Sequence, residues 1–473
     1  MSTSLDSGHL SRGRLVSMSL AAFFPALSIA LVPVLIFSTA GASAWQSSLL
    51  ATVAVLCIGR AVIVFARRYV ATGSLYSYIA EVFGPWARYL TGAALLGGFI
   101  IGVAGFGAVV GLFIGSFLYS QGITTALQFG PQLAIFAVVF VVAAVIAIRG
   151  IDTSVRIAVA LTVLSLPLVI VITIVSAHHT GLDLAHQFSF AGWSPSQILR
   201  GVAMGMAFLI GFESCAALAS ETRDPRRNVP VAVMAIPVIL GGIFPIVTIL
   251  QVPGLVAVSD QLAAGVSAPA ALALQAGLGS SVASATDLVL AAATFASLIG
   301  FLNYGARFAM TLAEDGLLPT AITRIHSRHH SPYVGIGGLS LTSFLVVSGF
   351  VLWTGNVDSA YSCLATLVVY LWVLPYILIA AGAVALTARA GEFRPGLWLS
   401  ATLGAAAMAW SYLNGVINPP APPVDSMIWV AIVVIAIVLL VLALNRSVRA
   451  TPSSSASVSL TEKLPEDSEV SRT

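Results

Sequence analysis

The residue that most constrains the chemistry of this chain is Glu213, a carboxylate inside the apolar stretch Met204-Gly205-Met206-Ala207-Phe208-Leu209-Ile210-Gly211-Phe212-Glu213-Ser214-Cys215. A charge at the centre of a membrane helix costs on the order of 3 kcal/mol on insertion scales, so it faces a cavity or a partner. Either the carboxyl lies on a solute pathway or it is tied to a neighbouring helix. Gly205 and Gly211 loosen the helix on its N-terminal side. A second locus is Ala22-Phe23-Phe24-Pro25-Ala26-Leu27-Ser28, followed by Pro33. Pro25 removes an amide donor and crowds the carbonyl four residues earlier. In lipid that carbonyl needs a new partner, such as Ser28, a neighbouring helix or a solute. Amides and carbonyls released at two such breaks can coordinate a solute.

Stepping outward from these residues, the elements that position them must be membrane helices. Of 473 residues, 58% are hydrophobic and 8% charged, with a formal net charge of +3. Soluble domains carry about 25% charged residues. Lipid admits only helices or closed barrels, and the apolar runs here are about 20 residues or longer, which is helical length. Twelve spans are expected, near 15–40, 46–66, 86–118, 132–148, 154–176, 196–219, 230–252, 284–312, 333–354, 360–387, 397–417 and 426–445. Arginines cluster at alternate connections: 12/14, 67/68/88, 149/156, 223/226/227, 324/328, 389/394 and 446/449. The other connections hold Asp183, Asp260, Asp358 and Asp425 and no Lys or Arg. The positive-inside rule then puts both termini in the cytoplasm. The expected organisation is a cytoplasmic segment 1–14, a twelve-helix domain 15–445 and a disordered, Ser-rich tail 446–473.

Other chemistries find little support. Cys57, Cys215 and Cys363 each fall within an expected span, at spacings that suit neither a disulfide framework nor a metal site. No phosphate loop, dinucleotide fingerprint or HExxH helix is present, and no nucleophile–base pair is visible. An enzyme, a bound cofactor, a metal and nucleic-acid binding are therefore not expected. The first span has a basic start and Ala42-Ser43-Ala44, as a signal peptide would, but its apolar run is too long for one.

Three stretches resemble the amino acid–polyamine–organocation permeases. Gly73-Ser74-Leu75-Tyr76-Ser77-Tyr78 with Phe83-Gly84 is similar to a motif between that family's second and third helices. Phe208-x-x-Gly211-Phe212-Glu213 followed by Glu221-Thr222-Arg223-Asp224-Pro225-Arg226-Arg227-Asn228-Val229-Pro230 resembles its sixth helix and the loop after it. Asn303-x-x-x-Arg307 with Glu314-Asp315-Gly316-Leu317-Leu318-Pro319 is close to its eighth helix and loop. The likeness covers about residues 12–445. It departs at the first break, where many members have a Gly-x-Gly type, and in the fifth span, where Ser165 stands near the place of a lysine found in some proton-coupled members. The only lysine here is Lys463.

The resemblance implies an all-α leucine-transporter fold with a 5+5 inverted repeat, about 15–176 and 196–387, and two additional helices over 397–445. It implies a secondary active permease of the cell membrane that moves amino acids by alternating access around a site between spans one, three, six, eight and ten. Pro25, Ala26, Leu27, Ser28, Phe208 and Gly211 are the expected substrate-binding positions. Phe208 is the candidate lid, with Tyr361 and Tyr370 as weaker gates. Gly102, Gly105 and Gly107 are read as close-approach positions. Glu213 could exchange a proton during the cycle, while Thr294 and Ser297, three apart on one face, could serve sodium. Solute exchange needs neither ion. Glu221 and Asp224 beside Arg223, Arg226 and Arg227 suggest a charge cluster of fold-supporting type. Arg60, Arg200 and Arg307 are expected to snorkel, and Asp287 to attract cations or be solvated. A neutral amino acid is the first expected substrate. A cationic amino acid, a polyamine or another small amine is the second, with Glu213 as counter-charge. A solute sensor without flux is the reading from another class.

Overall fold

The computed structural model describes residues 8–448 except 24, 190–193 and 264–265. The expected disordered tail therefore falls almost wholly outside the described residues. Among those residues the regular structure is helical, with one isolated bridge between Leu10 and Thr222. The first expected span is two helices, α1 (Arg12–Ala22) and α2 (Pro25–Ala40), because Pro25 ends the amide ladder and opens the next helix. Then come α3 (Ala44–Arg68), a short α4 (Leu75–Phe83), α5 (Pro85–Ser120), α6 (Phe129–Ile148), α7 (Ile151–Thr180) and a single turn α8 (Leu184–Gln187).

The sixth expected span begins as α9 (Pro195–Ala207), unwinds, and resumes as a 3-10 helix over Ser214–Glu221. Next are α10 (Pro225–Ala235), a π-helical turn (Ile236–Leu240) and α11 (Gly241–Ala257), together one span. The short α12 (Ser259–Ala263) and α13 (Ala268–Gln275) precede α14 (Ser280–Glu314), α15 (Tyr333–Thr354), α16 (Val357–Arg389), α17 (Pro395–Ile417) and α18 (Met427–Val448).

Among the described residues ten segments are long and apolar enough to cross a membrane, and the protein is a multi-pass integral membrane protein. The other two expected spans are the broken sixth one and α17. The latter has 23 residues, but its Trp, Ser, Tyr and Asn side chains leave it less apolar.

Burial tells which helices are central. The most apolar window of α5 is 89% buried, against 22% for the last span. Around α5 pack α14 and α16, and α2 packs on α9. Small residues allow these approaches: a Cβ at Gly98 would stand 2.6 Å from the Trp372 ring, and one at Gly300 2.6 Å from Ala22 Cβ.

The arginine-bearing end is held by polar contacts that differ from expectation. Arg307 does not snorkel. It is fully buried and grips Glu221, with Nη2 to Oε2 at 2.9 Å and a second bond from Nε, while Nη1 reaches Asn303 Oδ1 at 3.0 Å. Glu221 thus pairs across to α14 and not with Arg223, Arg226 or Arg227. The reason is position: residue 221 ends the 3-10 segment facing inward, while those arginines lie past the turn and are exposed. Nearby, Tyr76 donates to Asp315 at 2.7 Å and Arg88 pairs with the same carboxylate. Leu10 is 1% exposed and exchanges two backbone bonds with the loop before α10, its N–H to the Glu221 carbonyl and its carbonyl from the Arg223 N–H, each 2.9 Å.

Candidate functional site

The two helix breaks lie beside one cavity. At the first, α1 stops at Ala22 and α2 starts at Pro25. The carbonyl released by Pro25 is that of Ala21, and Ser297 Oγ of α14 reaches it at 3.5 Å, the limit of a hydrogen bond. Ser28 turns back to the Phe23 carbonyl at 3.3 Å. The first-turn amides of α2 have no partner within the helix, which suits them to an anion. At the second break Gly211 adopts φ +86°, a left-handed conformation that a side chain would strain. The last carbonyls of α9 end there and suit a cation.

Glu213 does not face the cavity. Trp372 Nε1 of α16 donates to its Oε1 at 2.9 Å, and the Tyr376 hydroxyl donates to Oε2. The same hydroxyl accepts the Gly211 N–H at 2.6 Å. Tyr376 therefore bridges the carboxylate and the backbone of the break. Both partners are fully buried. In this structure both carboxyl oxygens of Glu213 are thus held by α16.

The cavity itself measures about 80 Å³. Its walls come from five spans: Phe23 and Leu27 at the first break; Ile101, Gly102, Gly105, Phe106 and Val109 of α5; Ala207, Phe208 and Ile210 at the second break; Phe301 of α14; and Tyr361, Leu364, Ala365, Val368 and Trp372 of α16. No charged side chain is among them. Phe301 and Trp372 form the end nearer the arginine-bearing side, where Phe301 meets Phe23 at 5.5 Å and Phe106 at 4.9 Å between ring centres. Tyr361 and Val109 lie at the other end.

Over residues 14–439 the sequence matches the model of the amino acid permease family. The chain belongs to that family. The chain is 29% identical to the branched-chain amino acid permease BcaP of Lactococcus lactis subsp. cremoris over 294 residues, 59% of this chain and 62% of the relative. It is 23% identical to the D-serine/D-alanine/glycine transporter of Escherichia coli over 335 residues, 65% of each chain. The chain thus spans less than two thirds of the length of these relatives. In structure it resembles a Na+-coupled sialic acid symporter in a substrate-bound outward-open state, with a TM-score of 0.53 at 13% identity over 88% of this chain and 92% of that one. That likeness shows the leucine-transporter fold.

The expected binding and gating positions divide into two groups. Leu27, Phe208 and Tyr361 line the cavity, whereas Pro25, Ala26, Ser28 and Gly211 shape the breaks without lining it. Thr294 bonds its own helix at Leu290 (2.8 Å), so only Ser297 of that pair reaches α1. Ser165 likewise bonds Leu161 (2.8 Å) and Thr162 (3.1 Å). Tyr370 does not line the cavity: it stacks on Tyr412 of α17 at 5.3 Å, and its hydroxyl would stand 2.0 Å from a Cβ at Gly415. Gly107 packs under Phe140, as read, but Gly102 and Gly105 border the cavity. Asp287 is neither solvated nor open to cations in bulk: it is 5% exposed and accepts from Ser116 Oγ at 2.5 Å. Phe301, Phe106, Val368 and Trp372 join the lining without any signal in the sequence, since an aromatic or aliphatic residue in a membrane helix carries no sign of the face it occupies.

Proposed function

We propose that this protein is a secondary active carrier that moves neutral, apolar amino acids across the cell membrane by alternating access. The observation that supports this most is the uncharged, five-span cavity set between two helix breaks. Amides opening α2 would take the carboxylate, carbonyls ending α9 the ammonium, and the Leu27, Ile101, Leu364 and Val368 side the apolar side chain. Phe208 would cover the solute, and Tyr361 would stand on the outer path. The arginine-bearing end, with both termini, would face the cytoplasm. Because both oxygens of Glu213 are engaged by α16, the carboxylate would position the break and would not serve as counter-charge to a cationic substrate. This favours the neutral substrate over the cationic amino acid or polyamine. The relative named a branched-chain amino acid permease points the same way.

The test is uptake by proteoliposomes of labelled leucine, valine, alanine, lysine and putrescine. Saturable leucine and valine uptake, without lysine or putrescine uptake, is expected. A proton gradient, a sodium gradient and preloaded leucine, compared in parallel, decide among proton coupling, sodium coupling and exchange. Uptake of lysine or putrescine in preference to leucine would overturn the assignment of substrate class. Leucine binding without flux would replace the carrier by a sensor.

A further inference from the structure

At the arginine-bearing end of the bundle a groove of about 1060 Å³ lies open between α1, α3 and α10. Four arginines lie along it: Arg12 at the start of α1, Arg67 at the end of α3, and Arg226 and Arg227 at the start of α10. All four are exposed, and none of their guanidinium groups has an ion-pair or hydrogen-bond partner among the described residues. By contrast Arg14, Arg68, Arg88, Arg307 and Arg394 each hold a carboxylate. The rest of the groove is apolar, with Val16, Ile63, Met234, Val238 and Ile239 among its walls, and Val238 and Ile239 are 55% and 43% exposed.

Its depth can be read along the span that starts with α10. From Arg226 to Val238 is 12 positions, about 18 Å at 1.5 Å per residue. One leaflet contributes about half of a ~30 Å hydrocarbon core. A charged mouth therefore tops an apolar trough as deep as a single leaflet. Amphiphiles with an anionic head fit that pattern, because phosphate oxygens satisfy several guanidinium groups at once while the chains cover the exposed wall. The helix starts of α1 and α10 both open at this mouth and add their N-terminal dipoles in the same sense.

We propose that this groove binds one anionic glycerophospholipid of the cytoplasmic leaflet, with its phosphate among Arg12, Arg67, Arg226 and Arg227 and an acyl chain along Met234, Val238 and Ile239. The site flanks α1, the part of the first span on the near side of its break. A lipid held there stabilises whichever conformation keeps α1 against α10. The proposal rests on the cytoplasmic placement of the arginines and stands independently of the substrate carried.

The test is native mass spectrometry of the purified full-length protein with phosphatidylglycerol or phosphatidylcholine of the same acyl chains. Glycerol 3-phosphate and inorganic phosphate serve as headgroup-only arms. The wild type is expected to retain one phosphatidylglycerol in preference to phosphatidylcholine. Removing arginines should reduce that preference by roughly fivefold each, so that Arg67→Gln/Arg226→Gln/Arg227→Gln holds both lipids alike. Equal retention of both lipids by the wild type would overturn the proposal, as would an undiminished preference in the triple variant. Binding of glycerol 3-phosphate or phosphate as tight as that of the lipid would overturn the lipid as occupant and leave an anion site. Should the triple variant not fold, Val238→Trp, which fills the trough with every arginine in place, is expected to expel the lipid; retention in that variant would overturn the proposal.

Discussion

Trp372 of α16 donates its indole N–H to the carboxylate of Glu213, 159 positions earlier in the chain, across the break in the sixth span. The unwound segment is thereby fixed to a helix that also walls the cavity. Glu213→Ala would strand the Trp372 donor and leave the Tyr376 hydroxyl without its acceptor, at about 1–3 kcal/mol for each buried group. Glu213→Gln keeps an acceptor oxygen and should lose less. Thermal unfolding in detergent reads this order, and an alanine variant as stable as the glutamine one would contradict the bridging role.

Cavity size is set partly by two glycines. A Cβ at Gly105 would meet Leu364 Cβ at 3.7 Å, ordinary contact, so Gly105→Ala should fold without strain. It should nonetheless shrink the apolar end of the site. A change of one methylene in an apolar pocket is worth roughly 10-fold or more, so KM for leucine should rise by about that factor while KM for alanine stays nearly constant. Parallel uptake curves in proteoliposomes provide the check, and an equal change for both solutes would remove Gly105 from the site.

The Glu221–Arg307 pair lies in a dry interior. Removing one partner leaves an uncompensated charge, at about 3–5 kcal/mol, whereas replacing both by apolar residues is often neutral. Arg307→Leu alone and Glu221→Leu alone should each unfold far more easily than the double variant. Chemical denaturation of the three proteins tests it; additive losses would show that the two groups act separately.

At Gly300 an added Cβ would come within 3.1 Å of Ala22 Cα, which is backbone and cannot swing aside. Gly300→Ala should therefore push α1 off α14 and destabilise by about 1–3 kcal/mol. Adding Ala22→Gly removes the nearer clash and should restore part of the loss. Melting curves of the single and double variants decide.

Much of this architecture could be read before any coordinates, for reasons that differ between its parts. Pro25 and Gly211 announce breaks because proline and glycine act on their own backbone. Glu213 announces a partner because lipid offers none, but nothing local says that the partner is Trp372 and Tyr376, which arrive on another helix. Arg307 departs from the snorkelling expected of it for a related reason. Near a helix end, arginine can reach water or turn inward, and the choice depends on Glu221 having been delivered to the facing side. The short helices α4 and α13 leave no long apolar run to read. Phe301 and Val368 look like any membrane residue until packing turns them toward the cavity.

The bridge between Leu10 and Thr222 carries a practical consequence. It fastens the stretch ahead of α1 to the loop entering α10 by two hydrogen bonds and one buried leucine. In the alternating-access cycle proposed above, a fluorophore or affinity tag placed just upstream of Leu10 would shift against α10 whenever α1 does, so its signal would follow the cycle and its bulk would bias it.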